Sequence, residues 1–309
     1  MYIFMDLVDN NCYERGVFLM KSVCIKLNNQ KTAEYLLEYL LEQLNNFDID
    51  NVYFSCKKFK IYYNVIVHFK GKNIDSFTQA LSQTLSFIII NLYEKNIIDS
   101  LIKSEYFYFD TSERIKISNI TFEDLYDTDE AIYSPSERFN VLYKTIYKYL
   151  TSSHSLLLKG FITFRLKKYF ESLLEQIDKS VNKYIVEKEY TEFISLLRMY
   201  INSESPLCNV VHLIYYNFNP ILLDENKNVI NIEKDQLNRK YLSDITFSSN
   251  DYTLNTLLNL VPQKINIHLL DENIDEFINT IKLIFEDRVS FCNDCSICKI
   301  YKKNHAIKV

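Results

Sequence analysis

The spacing of the apolar residues changes from one segment of this 309-residue chain to the next, and the order of these changes limits the fold. A β-rich run at residues 23–27 precedes a segment with apolar residues at helical spacing, and two more β-rich runs follow at 52–56 and 61–69. A second helical pattern begins near residue 74. This order, βαββα, predicts a compact layer of helices on one face of an antiparallel sheet, occupying residues 1–106.

Proline and acidic residues interrupt the pattern after this first unit. Residues 107–134 lose their periodicity, which predicts an acidic linker. We expect a second domain over 135–309, beginning with a proline in the first turn of a helix. The stretch 156–201 is helical in pattern but long for a single helix, so a break is expected at 186–188. Residues 1–19 fit either an extra strand or an extension that begins at an upstream start codon.

The apolar pattern returns to a period of two after Pro206. A strand, a hairpin turn at 224–228, a helix at 254–260, a further strand and a last helix lead to a group of cysteines. The chain is therefore predicted to be an α+β protein. It has an N-terminal βαββα layered unit, long central helices and a C-terminal mixed α+β lobe that ends in a cysteine-rich knuckle.

The composition excludes several classes of function. The net charge is −5 and no lysine- and arginine-rich face is recognisable, so nucleic-acid binding is not expected. The chain has only three glycines, far apart, which excludes the glycine-rich loops that hold nucleotide phosphates. Its longest apolar run, at 87–93, is far shorter than the roughly 20 residues that span a bilayer, so we expect no transmembrane segment. The start lacks the basic region of a signal peptide, which predicts a cytoplasmic protein.

Three of the seven cysteines are separated by gaps of two residues near the C-terminus, in the sequence CNDCSIC. In a cytoplasmic protein, closely spaced cysteines stay reduced and favour metal binding over structural disulfides. Cys292, Cys295 and Cys298 are therefore the predicted metal ligands, with zinc as the expected ion and an iron–sulfur cluster as the less favoured one. Four residues are candidates for the fourth ligand: His305, His268, His212 and Cys208.

Two other interpretations of the cysteines stay open. Cys292 and Cys295 form a C-x-x-C, the spacing of thiol–disulfide exchange, but we expect the motif at the C-terminal end of a helix, where the dipole disfavours a thiolate. The cysteines can also be reduced thiols without a function. A ferredoxin-type cluster is not expected, because Lys302 stands where that pattern has its fourth cysteine.

His212 and His268 lie in similar apolar runs, VVHLI and NIHLL. A single histidine in a strand is more often a half-buried residue with a hydrogen-bond partner than a ligand. The similar settings nevertheless indicate that the two histidines share a sheet face, where they would join the cysteines or line a pocket. The sequence has no recognisable Ser–His–Asp order, H-E-x-x-H motif or pair of catalytic carboxylates, so an enzyme is not favoured.

Five short motifs in the second half of the chain carry a resemblance to a known family. In order they are GFITFRLKKY, EKEYTEFISLLR, VVHL, PQKINIH and TIKLIFEDRVSFCNDCSIC, within residues 157–301. Together they resemble the YtxC-like family of sporulation proteins from endospore-forming Firmicutes. The resemblance implies expression or a role during sporulation, and it implies no reaction, substrate or cofactor. Both strand histidines and the clustered cysteines lie inside the matched region.

Two functions fit these observations. The first is a non-catalytic cytoplasmic sporulation factor with a structural metal site at the cysteines and an unidentified protein partner. The second is a metal-dependent enzyme of unknown substrate, in which His212 and His268 flank a pocket beside the cysteines. The enzyme requires both histidines close to the sulfur atoms, together with an open cleft.

Overall fold

The computed structural model describes most of the chain. The described ranges are 19–46, 49–230, 248–271 and 274–306, without the side chains of 19 and 304–306. The predicted strand or extension at 1–19 therefore lies outside the described residues, apart from its last position. The described chain is mixed α+β, which confirms the predicted fold class. Among its helices, none combines the length and the apolar character needed to cross a bilayer.

The chain divides into two compact units, Met1–Ile185 and Val186–Val309. In unit 1 the elements are β1 (Leu19–Leu27), α1 (Gln30–Asn46), β2 (Val52–Phe59), β3 (Tyr62–Gly71), α2 (Ile74–Ile88), α3 (Glu94–Glu105), α4 (Thr111–Asp124), α5 (Pro135–Ser152), β4 (Ser155–Leu157), α6 (Leu158–Arg165) and the first part of α7 (Lys167–Ser203). A π-helical segment, Ile89–Tyr93, joins α2 to α3.

The sheet of unit 1 has the strand order β2-β3-β1-β4. Strand β3 pairs antiparallel with β1 and β2, and β1 pairs parallel with β4. Alternate residues of the central strands, such as Val23 and Val67, are buried against α1 and α2. This alternation in two neighbouring strands is the period of two seen in the sequence, and the βαββα unit is as predicted.

The stretch 107–134, which the fading periodicity predicted to be a linker, contains α4. Ile117 of this helix is fully buried in the core of unit 1. The acidic residues that interrupt the apolar pattern begin the helix: Asp110 accepts from the backbone N–H of Glu113, and the Glu113 carboxylate accepts from that of Asp110. Such capping boxes stabilise a helix start without adding an apolar residue. The place where independently folding domains divide stays a prediction.

An ion pair lies inside unit 1, where the Arg138 Nε donates to the Glu94 carboxylate at 3.2 Å. Both side chains are fully buried. The hydroxyls of Tyr169 and Tyr126 also donate to Glu94, and the Arg138 Nη1 donates to two backbone carbonyls. Burial and the adjacent Glu94 carboxylate raise the pKa of Tyr126 to about 12. The two charges therefore have several hydrogen bonds in place of the water that they lose on burial.

Unit 2 contains the rest of α7 and a second sheet. Its elements are β5 (Val210–Tyr216), β6 (Asn219–Leu223), α8 (Ser249–Leu260), β7 (Lys264–Leu269), α9 (Glu276–Phe285), β8 (Val289–Phe291) and α10 (Ser296–Ala306). The strand order is β6-β5-β7-β8, with β5 and β6 antiparallel and the other two pairs parallel. The predicted hairpin turn at 224–228 is present, and the backbone N–H of Asp224 donates to the carbonyl of Asn228.

The predicted break at 186–188 is wrong, because α7 runs without interruption from Lys167 to Ser203. This range has no proline and no glycine, the two residues that most readily end a helix. Its buried residues instead belong to two separate cores, with Ile177 in the core of unit 1 and Ile201 in that of unit 2. The apolar pattern of the sequence changes where α7 passes from the core of unit 1 to the core of unit 2.

Candidate metal centre

The parallel strands β5 and β7 place the two strand histidines on one face of the unit 2 sheet. In their register, His212 pairs with Asn266 and Ile214 pairs with His268, so the histidines are offset by one pleat. The opposite face packs into a core that includes Leu213 and Ile267. The histidine face packs against Ile297 and Cys298 of α10, together with Cys292 and Cys295. The shared face that the two similar apolar runs indicated is therefore present.

A short strand that the sequence did not reveal positions the cysteines. The predicted last helix ends at Phe285, and a 3₁₀ turn at Glu286–Arg288 leads into β8. Beyond β8, the backbone N–H of Cys292 donates to the carbonyl of Ile267 at 2.8 Å, next to His268. With only three residues, β8 is too short to show a period in the sequence.

The cysteines lie at the start of a helix, which corrects the expectation that they follow a helix end. Asp294 adopts a φ of 57°, which turns the chain back, and the carbonyl of Cys295 accepts from the backbone N–H of Lys299 in α10. Cys298 lies in the first turn of that helix. The positive end of the helix dipole therefore faces the thiols and favours their anionic form. The Asn293–Asp294 pair was the one turn signal in the sequence at this point.

Four side chains meet at this junction, and we refer to Cys292, Cys295, Cys298 and His268 as the Cys3His group. Their ligand atoms all lie within 4.8 Å of one another. The His268 Nδ1 is 3.3 Å from the Cys298 Sγ and 3.5 Å from the Cys295 Sγ. The Cys298 Sγ is 4.0 Å from the Cys295 Sγ and 3.8 Å from the Cys292 Sγ. Such a group could hold one metal ion.

His212 lies behind the Cys3His group and not within it. Its Nδ1 is 2.9 Å from the Nε2 of His268, the ring nitrogen that faces away from the sulfur atoms. If the His268 Nδ1 binds a metal, its Nε2 carries the proton and donates to His212. This is the outer hydrogen bond that histidine ligands of metals usually make.

Burial shifts the protonation of the group toward neutral histidine. It lowers the pKa of His268 to about 4, with a further contribution from the charge of His212, so the imidazole is neutral and able to bind a metal at neutral pH. Burial raises the pKa of the Cys292 thiol to about 11, and hydrogen bonding to Cys295 adds to this effect. Burial also acts to raise the pKa of Cys295, but hydrogen bonds, first among them one from the backbone of Cys298, outweigh it and lower that pKa. Cys295 is therefore the easier of these two thiols to ionise.

The two remaining candidates for the fourth ligand are Cys208 and His305. The thiol of Cys208 lies 3.9 Å from the carbonyl of Leu260 and is absent from the Cys3His group. The backbone of His305 belongs to α10, and its side chain lies outside the described residues. Two surface pockets of the described chain are lined by residues between Tyr133 and Glu175 in unit 1.

The chain is similar to known proteins over part of its length. The model of the YtxC-like family matches residues 79–290. YtxC of Bacillus subtilis (strain 168), described as an uncharacterized protein, is 26% identical over 133 residues, which is 43% of this chain and 46% of that protein. The chain thus matches less than half the length of this curated relative. No solved structure matches the chain.

The fold and the site together define an α+β protein with a Cys3His group that could hold a metal ion. The match to the family model covers more than half of the residues. The chain belongs to the YtxC-like family, as the five motifs predicted.

Proposed function

We propose that the Cys3His group holds a structural zinc ion in a non-catalytic cytoplasmic protein of sporulation. The distances among the ligand atoms carry this proposal. A tetrahedral zinc ion with Zn–S bonds of about 2.3 Å and a Zn–N bond of about 2.0 Å requires sulfur atoms about 3.8 Å apart and a nitrogen about 3.5 Å from each sulfur. The separations of 3.8 and 4.0 Å between sulfurs, and of 3.3 and 3.5 Å between nitrogen and sulfur, match these values.

The same distances favour a single ion over an iron–sulfur cluster. A four-iron cluster binds each cysteine sulfur at a different iron atom, so its ligands lie farther apart than those of one ion. The ligand atoms here fit within 4.8 Å of one another. Three thiols with one imidazole also form a common ligand set for structural zinc.

Burial and ligand number support a structural role. A structural zinc site is closed by four protein ligands, whereas a catalytic site keeps one position for water or substrate. The Cys3His group supplies four ligands, and His268 and Cys298 are each only 2% exposed. An ion there would connect the segment after β8 and the start of α10 to His268 of β7. The sporulation role rests on the family resemblance.

One observation favours a second candidate function, a metal-dependent enzyme. His212 bonds to His268 and is only half-buried, so it lies between the Cys3His group and the surface. The absorption spectrum of the cobalt-substituted protein separates the two candidates. Four protein ligands give a tetrahedral spectrum that small anions do not change, and a spectrum that shifts when azide is added would favour the enzyme.

Removal of the metal should destabilise the protein. Because the ligands are brought together only by folding, an ion bound at about 1,000 times its dissociation constant adds about 4 kcal/mol to the free energy of unfolding. We expect a chelator to lower the melting temperature of the metal-loaded full chain by on the order of 10 °C. Calorimetry with and without the chelator, followed by zinc addition, checks this. Metal that is stripped with no change in melting temperature would contradict a structural role.

The hydrogen bond that His212 accepts from His268 should increase the metal affinity of the group. Replacement of an outer partner usually lowers metal affinity by about 10–100-fold, so we expect this loss for His212→Leu. His212→Asn keeps an oxygen close to the place of Nδ1 and should retain most of the affinity. Competition with a chromophoric chelator measures both variants.

A second histidine provides the matched control for His212. His68 lies in unit 1, where its Nδ1 is hydrogen-bonded to the Ser22 hydroxyl at 2.7 Å. Replacement of His68 by leucine should leave the metal affinity unchanged. If the leucine variant of His212 binds zinc as tightly as the unaltered protein does, the hydrogen bond has no orienting role.

A further inference from the structure

The tip of the β2–β3 hairpin combines exposed apolar and basic side chains, and we propose that it binds the surface of an anionic lipid bilayer. The tip consists of Lys57, Lys58, Phe59, Lys60 and Ile61. Strand β2 ends at Phe59, β3 begins at Tyr62, and a two-residue turn joins them. The proposal concerns unit 1 and does not depend on the metal site of unit 2.

Two apolar side chains project from the end of this hairpin. Phe59 is 63% exposed and Ile61 is 69% exposed. Phe59 ends β2 and Ile61 lies two residues later in the turn. Because β2 also lies at the edge of its sheet, both side chains can enter a bilayer interface without any change in the core. A single exposed apolar residue needs no explanation, but a pair at the projecting end of a hairpin forms a small apolar surface.

The charged residues within this hairpin are all basic. Three lysines lie within the tip, and the range 51–74 contains no aspartate or glutamate, although the whole chain has a net charge of −5. Among the described residues, none of the three lysines forms an ion pair with a carboxylate. The Lys58 and Lys60 ammonium groups lie over the rings of Tyr63 and Phe59. The hairpin is therefore a basic region on an acidic protein.

This combination fits a bilayer with anionic headgroups. Apolar side chains gain free energy by entering the acyl boundary, and long lysine side chains reach back to the headgroup phosphates. Lysines on an edge strand also prevent aggregation, but this role does not explain the exposed Phe59 and Ile61 beside them. A surface for single-stranded nucleic acid presents a series of aromatic rings on which bases stack. Phe59 supplies one ring in the tip, but Ile61 in the turn has none.

The turn offers a variant that changes the charge and keeps the conformation. Lys60 has a φ of 56°, in the left-handed region that asparagine and glycine adopt more readily than lysine. Lys60→Asn therefore removes one positive charge while preserving the hairpin. The double variant Phe59→Ser with Ile61→Ser removes the apolar pair and leaves all three lysines in place.

Flotation of the full chain with two kinds of vesicle tests the proposal. We expect binding to vesicles that mix phosphatidylglycerol with phosphatidylcholine, no binding to phosphatidylcholine alone, and a decrease in binding as the salt concentration rises. The double serine variant should lose on the order of tenfold or more in the partition coefficient, and Lys60→Asn should lose roughly fivefold. Phe193→Ser is the matched control, because Phe193 is 51% exposed but follows the acidic Glu192 in the sequence. This variant should bind vesicles as the unaltered protein does.

Three outcomes would overturn the proposal. The first is that protein with an unaltered circular dichroism spectrum binds neither kind of vesicle. The lysines would then serve only to protect the edge strand from aggregation. The second is equal binding by the double serine variant and the unaltered protein. The third is salt-sensitive binding of a single-stranded oligonucleotide with none to vesicles, which would assign the tip to nucleic acid.

Discussion

Protein in which Cys292, Cys295 and Cys298 are all replaced by serine should purify without stoichiometric zinc. Serine keeps the size of the side chain but removes the thiolate that binds zinc, and one imidazole does not hold the ion alone. Elemental analysis of protein purified without a histidine tag measures the effect. Because these residues would be direct ligands, even single replacements should cost more affinity than the roughly 10–100-fold loss from an outer partner. Unchanged metal content in the triple variant would place the metal elsewhere.

Single replacements of three of the candidates for the fourth ligand test which of them binds the metal. His268→Ala should lose the metal, because its Nδ1 lies 3.3 and 3.5 Å from two of the sulfur atoms. Cys208→Ser is the matched control for the cysteine variants, since this thiol is outside the Cys3His group, and it should keep full zinc content. His305→Ala should also keep it. If the His305 variant loses zinc and the His268 variant retains it, the fourth ligand is His305 and not His268.

Removal of the buried carboxylate in unit 1 should strongly destabilise the fold. Glu94→Gln leaves the Arg138 guanidinium without its counter-ion at a site where both side chains are fully buried. An uncompensated buried charge costs about 3–5 kcal/mol in the free energy of unfolding. Urea denaturation of the full chain measures this loss. A change below about 1 kcal/mol would show that water reaches the guanidinium.

Two further variants test whether the unpaired charge of Arg138 causes the destabilisation. A Glu94→Leu chain that also carries Arg138→Met removes both charges, and we expect it to be more stable than Glu94→Gln, because the pair itself contributes little net free energy. Glu171→Gln breaks an exposed ion pair with Lys167, whose atoms are 3.7 Å apart, and it should change the stability by less than about 1 kcal/mol.

The order of the elements was predictable where the pattern is local and repeated. Val23 and Ile25 in β1, and Val65 and Val67 in β3, alternate with half-buried residues, so one face of each strand is apolar in the sequence itself. The βαββα unit follows from such patterns. Helix α4 was missed because its start depends on the reciprocal hydrogen bonds of Asp110 and Glu113, which add no apolar period.

The sequence alone identified the candidate thiols of a metal site, because the gaps of two residues keep Cys292, Cys295 and Cys298 close in any compact conformation. It left four candidates for the fourth ligand, since each is distant in the chain and equally suited by its chemistry. In the tertiary structure, the parallel pairing of β5, β7 and β8 brings Cys292 beside Ile267 and places His268, among the described candidates, next to the sulfur atoms. A register of this kind is set by the burial of whole strands against helices, and no short stretch of sequence contains it.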